Sequence, residues 1–162
     1  MKPFRTSVAG FTLVELLIVI TIASILAAIA LPSFKSLNES QRVKNAAYEI
    51  YSVLNLARSE AIKRNKNITV TPSPSWTALA SINVADGGVT LVDRPTPKGI
   101  KITASASATS GITYQHNGRT SITAAPITFQ LDVAGAATPT RNVRCITIEL
   151  SGMPRTRMGA CP

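Results

Sequence analysis

The sequence is short of nearly everything an enzyme uses. It has one histidine, two cysteines and 5% aromatic residues, and 8 acids stand against 17 bases. No G-x-S-x-G, P-loop or HExxH pattern occurs, and the acids are scattered, so hydrolytic, nucleotide-binding and zinc-peptidase chemistry have no starting point. His116 and the two cysteines lack the spacing of a metal site, so neither a metal nor a cofactor is expected. His116 itself reads as a surface turn residue. No acid cluster of the calcium-binding kind is present, and no internal repeat is apparent.

Charge is also missing from one place where its absence is informative. Residues 11–34 read FTLVELLIVITIASILAAIALPSF, with Glu15 the lone charge. As a helix this run is roughly 36 Å long, enough to cross a bilayer core. The segment before it holds Lys2 and Arg5 and no acid, which places that end in the cytoplasm and the rest of the chain on the far side. An ordinary secretory signal needs a shorter apolar run and a small-residue cleavage site after it. Ala30-Leu31-Pro32-Ser33 fits that poorly. A plain single-pass anchor is the remaining alternative, and Glu15 argues against it. A carboxylate at bilayer depth costs roughly 2.5–3.5 kcal/mol even on lenient insertion scales and usually marks function, although snorkelling toward the interface is another reading.

Glycine and proline are absent from residues 34–65. Val43, Ala47, Ile50, Leu54, Ala57 and Ala61 fall at helical spacing, with Arg42, Lys44, Glu49, Arg58, Lys63 and Arg64 on the other face. One helix is therefore expected from residue 11 to about 65, bent or partly broken at Pro32. Its apolar stripe needs a partner, and the rest of the chain supplies one. Short β-like runs at 68–71, 79–84, 89–93, 100–104, 112–115, 127–133 and 144–150 are separated by turn residues, with Asp86-Gly87-Gly88 and Asn117-Gly118 as turns. The fold class is α+β, a long N-terminal helix on a mostly antiparallel sheet. The chain divides into a leader (1–10), an apolar half-helix (11–34), an amphipathic half-helix (35–66) and a β-rich head (67–162).

Cys145 and Cys161 lie beyond the membrane segment, in a compartment where disulfides persist. A bond between them is worth about 3 kcal/mol by loop entropy; free thiols or an intermolecular bridge are the alternatives. It would fold residues 153–157 into a closed loop beside the last strand. Arg141, Arg144, Arg155 and Arg157 cluster in this region against Glu149 alone. The net charge of +9 falls to +7 once Lys2 and Arg5 leave with the leader. Such a surface favours anionic partners, and the arginine fork suits phosphate oxygens.

Gly10-Phe11-Thr12-Leu13-Val14-Glu15-Leu16, behind a short basic leader, resembles the class III processing site of type IV pilins and pseudopilins. The resemblance covers about the first 35 residues and includes a proline at 32, where many such proteins have one. It implies cleavage between Gly10 and Phe11 by a prepilin peptidase, N-methylation of Phe11, and a place for Glu15 near the terminal amine of a neighbouring subunit. It also implies an inner-membrane anchor with a periplasmic head, then incorporation into a pilus of a Gram-negative bacterium beside other major and minor pilins. The Cys–strand–tail layout resembles minor pilins of the FimT/FimU type and their GspH-group relatives. FimT-type proteins carry a C-terminal Gly-Arg-x-Arg that contacts DNA. Here Pro154-Arg155-Thr156-Arg157 keeps both arginines and replaces the glycine. The resemblance thus implies that Arg155 and Arg157, with Arg144 and Arg141 nearby, contact the backbone of double-stranded DNA without sequence preference during natural transformation. With about three phosphates neutralised, log K falls against log salt with slope about −2.7. A solvated basic loop, a purely structural priming subunit and a type II secretion pseudopilin are the competing readings.

Overall fold

In a computed structural model of the chain, residues 11–77, 79, 81–96, 98–122, 126–135 and 142–162 are described. The leader with Gly10, and Arg141, lie outside them. Helix α1 runs Leu13–Arg64, and eight strands follow: β1 Ile68–Ser73, β2 Ser81–Asp86, β3 Val89–Pro95, β4 Ile100–Ala104, β5 Ile112–Tyr114, β6 Ile127–Val133, β7 Arg144–Ile148 and β8 Pro154–Met158. A 3-10 turn at Ala106–Ala108 precedes β5.

α1 is helical without a break through Pro32, contrary to the expectation of a partial break there. A proline removes one amide donor from the ladder, and the turns on both sides remain helical. The helix stops at Asn65, whose φ of +54° is left-handed. Lys66 N donates to Ala61 O at 3.2 Å, closing the last turn. Asparagine tolerates this conformation better than most residues with a Cβ.

The chain forms two compact units, the first ending at Asn38 and the second spanning Glu39–Pro162. In the first, every large apolar side chain from Phe11 to Leu37 is at least 50% exposed. The helix is long and apolar enough to cross a membrane. In the second, Val43, Ala47, Ile50, Leu54, Ala57 and Ala61 are all buried, so the helical spacing marks the packed face.

That face packs into one core with two four-stranded sheets, ordered β3-β2-β1-β5 and β4-β6-β7-β8. Every strand pair is antiparallel. The sequence pattern called for an antiparallel sheet; the structure divides its strands between two. Alternation explains the division of faces: Ile127, Phe129 and Leu131 of β6 are buried, with Ile146 and Ile148 of β7 beside them. Trp76 packs on Phe129 with ring centroids 4.6 Å apart and planes inclined at 54°, and donates from Nε1 to Ala108 O at 2.7 Å, so its one polar side-chain atom is satisfied in the core.

Candidate functional site

The segment expected to be a closed loop is a strand. β8 pairs with β7 in the register Arg155↔Thr147 and Arg157↔Cys145, at the edge of its sheet. A five-residue arginine-rich run has no apolar alternation, so nothing local marks it as a strand; pairing to β7 makes it one. The register then sorts the arginines. Residues two apart share a face, so Arg155 and Arg157 stand with Cys145 and Thr147 on the face away from Ile146 and Ile148. Both are exposed. Arg144 has the opposite parity, pairs with Met158 and is half-buried. The expected group of four is therefore a pair, with Arg144 turned from it and Arg141 outside the described residues.

Two devices hold the pair in place. Cys145 and Cys161 are bonded, with Cα atoms 5.1 Å apart and a sequence separation of 16. Cys161 N donates to Gln130 Oε1 at 3.2 Å, and Gly159 N to Val143 O at 2.9 Å, which ties the tail after β8 to its sheet. At the other end, the turn from Glu149 to Met153 needs Gly152. Its φ is +78°, and a Cβ there would lie 2.0 Å from Gly118 O. Only glycine permits this approach. Pro154 follows as the buried first residue of β8, a position where a missing amide hydrogen is tolerated. Gly152, two residues before Pro154, is where this backbone requires a glycine.

The guanidinium groups are engaged but not enclosed. Arg155 Nε lies 3.2 Å from Glu149 Oε1, an exposed ion pair worth about 0–1 kcal/mol. Arg157 Nη2 donates to Ala160 O at 3.1 Å. Neither β7 nor β8 carries an aromatic residue, so these two strands offer charge and hydrogen bonds but no stacking platform. No cluster of metal-binding side chains occurs among the described residues. His116 is exposed in the turn that contains Asn117 and Gly118.

At the start of α1, Glu15 has a local partner that the lipid-cost reading passed over. Thr12 N and Thr12 Oγ1 each donate to Glu15 Oε2 at 2.9 Å, and Glu15 N donates to Thr12 Oγ1 at 3.2 Å. This is a capping box, satisfying backbone donors that a helix start leaves free. The signal was present as Thr12-x-x-Glu15. Phe11 is 79% exposed beside it.

The chain matches a family model described as type II transport protein GspH over residues 46–152. It also matches the prokaryotic N-terminal methylation motif over residues 5–31. Over 68 residues it is 41% identical to a fimbrial protein of Pseudomonas aeruginosa, a stretch that is 42% of this chain and 44% of that protein. It therefore spans under half the length of the curated relatives it matches. Among solved structures it is similar to the type IV minor pilin FimU of Pseudomonas aeruginosa, with 22% identity, TM-score 0.58, and coverage of 78% of this chain and 92% of that one. It is also similar to the minor pseudopilin EpsH of the Vibrio cholerae type 2 secretion system, with 13% identity, TM-score 0.55, and coverage of 72% and 97%. At these identities the two structures speak for the fold.

Proposed function

Because this chain belongs to the GspH family of pilin-like type II transport proteins, we propose that it is a non-catalytic minor subunit of a type IV pilus that captures DNA through β8. In this reading a prepilin peptidase cuts between Gly10 and Phe11, and Phe11 is methylated. The apolar half of α1 holds the subunit in the inner membrane with its head in the periplasm until it joins other pilins. The arginine pair then meets the phosphate backbone of double-stranded DNA.

One observation supports the DNA reading most. Arg155 and Arg157 project from the same exposed face of an edge strand that a disulfide and a glycine turn hold in place. Ordering an arginine on a ligand costs backbone and rotamer entropy; a strand already held in place leaves only the rotamer part. Without aromatics on this surface, contact is with phosphates and carries no sequence preference. Each phosphate neutralised contributes about −0.9 to the salt slope, so the pair accounts for about −1.8. Binding of a single subunit falls in the non-specific range of ~10⁻⁴–10⁻⁶ M, and repeated subunits raise avidity.

The test is duplex binding by the full chain in non-ionic detergent at low and moderate salt. Arg155→Ala with Arg157→Ala is expected to flatten the slope by about 1.8 and weaken binding at low salt. Unchanged affinity and slope defeat the reading.

A structural role has its own support. Pro154, Arg155 and Arg157 sit on an edge strand, where proline and charge discourage strand-to-strand association. Arg155 already has Glu149. In that case the arginines protect the edge or meet a neighbouring pilin or pseudopilin, and the double variant leaves DNA binding untouched.

A further inference from the structure

The anionic-partner surface described for β8 stops at a turn; one more arginine is bonded to that turn, and another to the turn at residues 115–119 packed against it. Arg119 is exposed, and its Nε donates to Leu150 O at 3.1 Å. Leu150 follows Glu149, the residue that pairs with Arg155. Arg119 and Arg155 are thus tied to consecutive residues of one turn, although 36 positions separate them in sequence. Arg58 of α1 reaches the neighbouring turn: its Nε donates to Gly118 O at 3.0 Å. Among the described residues the Nη atoms of Arg119 and Arg58 have no hydrogen-bond partner.

The junction beneath them is tight. A Cβ on Gly152 would fall 2.0 Å from Gly118 O, and one on Gly118 would fall 2.7 Å from Ile62 Cδ1. Gln115 N donates to Arg119 O at 2.8 Å and Gly118 N to Gln115 O at 2.8 Å, which closes the turn that carries Arg119. A guanidinium already anchored by Nε has less freedom left to lose when its Nη atoms bind an anion. Glu149 is the one acid in this group of contacts.

We propose that Arg119, backed by Arg58, is a further phosphate-binding residue, so that the DNA footprint runs from β8 over the β7–β8 turn onto the turn at residues 115–119. This rests on the DNA reading of β8 and extends its contact surface. Arg119 brings the phosphates neutralised to three and the salt slope to about −2.7; a contact by Arg58 steepens it further.

The experiment is fluorescence anisotropy of a labelled duplex of about 30 base pairs with the full chain in non-ionic detergent across a salt series. Arg119→Gln, Arg119→Lys and the Arg155→Ala/Arg157→Ala pair are compared with wild type. Arg119→Gln is expected to weaken binding about three- to tenfold at low salt and flatten the slope by about 0.9, one phosphate contact. Arg119→Lys keeps the charge but gives up the planar fork, and is expected to retain the wild-type slope. A loss in the glutamine variant that lysine restores supports a charge role even if both variants lower the melting temperature. The proposal is overturned if Arg119→Gln binds as wild type does, or if Arg119→Lys falls as far as Arg119→Gln, which marks Arg119 as only a brace for the turn. Wild-type binding that is lost in the Arg155/Arg157 variant but kept in Arg119→Gln defeats this extension alone. Absence of salt-dependent binding by wild type defeats the DNA reading with it.

Discussion

Along α1, Leu17 is 51% exposed and Leu54 is fully buried, and the same contrast holds for their neighbours. The apolar residues of the first unit cover the helix on all sides, whereas those of the second fall on one stripe. A helix apolar all round buries itself in something larger than its own fold. A helix with one stripe needs one partner, which two sheets provide. The contrast separates two kinds of residue: those buried within the chain, and those that the chain itself leaves uncovered.

Truncation is the most forceful way to break that contrast. Leu54→Ala is expected to cost about 2–5 kcal/mol of unfolding free energy for the head, the usual range for a buried leucine. Leu17→Ala is expected to stay within about 0.5 kcal/mol. Denaturant unfolding of both variants in detergent, followed by the Trp76 signal, checks this. Equal losses at the two sites remove the distinction.

Reduction of Cys145–Cys161 sharpens it, because the bond lies wholly in the second unit. A closed loop of this length is worth about 3 kcal/mol. Thermal scans with and without reductant are expected to show a melting temperature lower by about 10 °C, while the membrane-bound fraction of the chain stays the same.

The smallest effect is at Tyr114. Its hydroxyl is buried without a partner among the described residues, and burial pushes its pKa well above the ordinary tyrosine value. The folded state therefore holds this proton more tightly than the unfolded one. The resulting stability is present below about pH 10, the ordinary tyrosine value, and declines as pH rises above it. Tyr114→Phe is expected to be neutral or to stabilise by up to about 1 kcal/mol at pH 7, since it removes an unsatisfied polar atom. It is also expected to lose stability less steeply than wild type above pH 10. A destabilised phenylalanine variant shows that the hydroxyl has a partner.

Legibility in the sequence followed the same division. The apolar run and the stripe from Val43 to Ala61 were readable because each is a local periodicity. β4 and β6 were readable to the residue, since alternation and flanking turns define them. β8 was not, because Arg155, Thr156 and Arg157 become a strand only through β7. Without that register, Arg144 could not be separated from Arg155 and Arg157. Arg58 and Arg119 were invisible for a related reason: each contacts a carbonyl far along the chain, 60 and 31 positions away. Thr12 differs from these. Its capping signature with Glu15 is local and legible, but the cost of a carboxylate in lipid explained Glu15 without it.

Glu15 now has two roles to choose between, and one substitution divides them. Glutamine can replace glutamate in a capping box, so Glu15→Gln keeps the bonds to Thr12 while removing the charge. Pairing with the terminal amine of a neighbouring subunit requires the charge, and breaking a buried ion pair costs about 3–5 kcal/mol. The decisive measurement compares wild type with Glu15→Gln in the membrane fraction and in sheared filaments of the same cells. An assembly helix predicts that both chains reach the membrane equally and that the glutamine variant is depleted from filaments at least about tenfold, a difference of only about 1.4 kcal/mol. Incorporation of Glu15→Gln at the wild-type level contradicts it and leaves Glu15 as a helix cap alone.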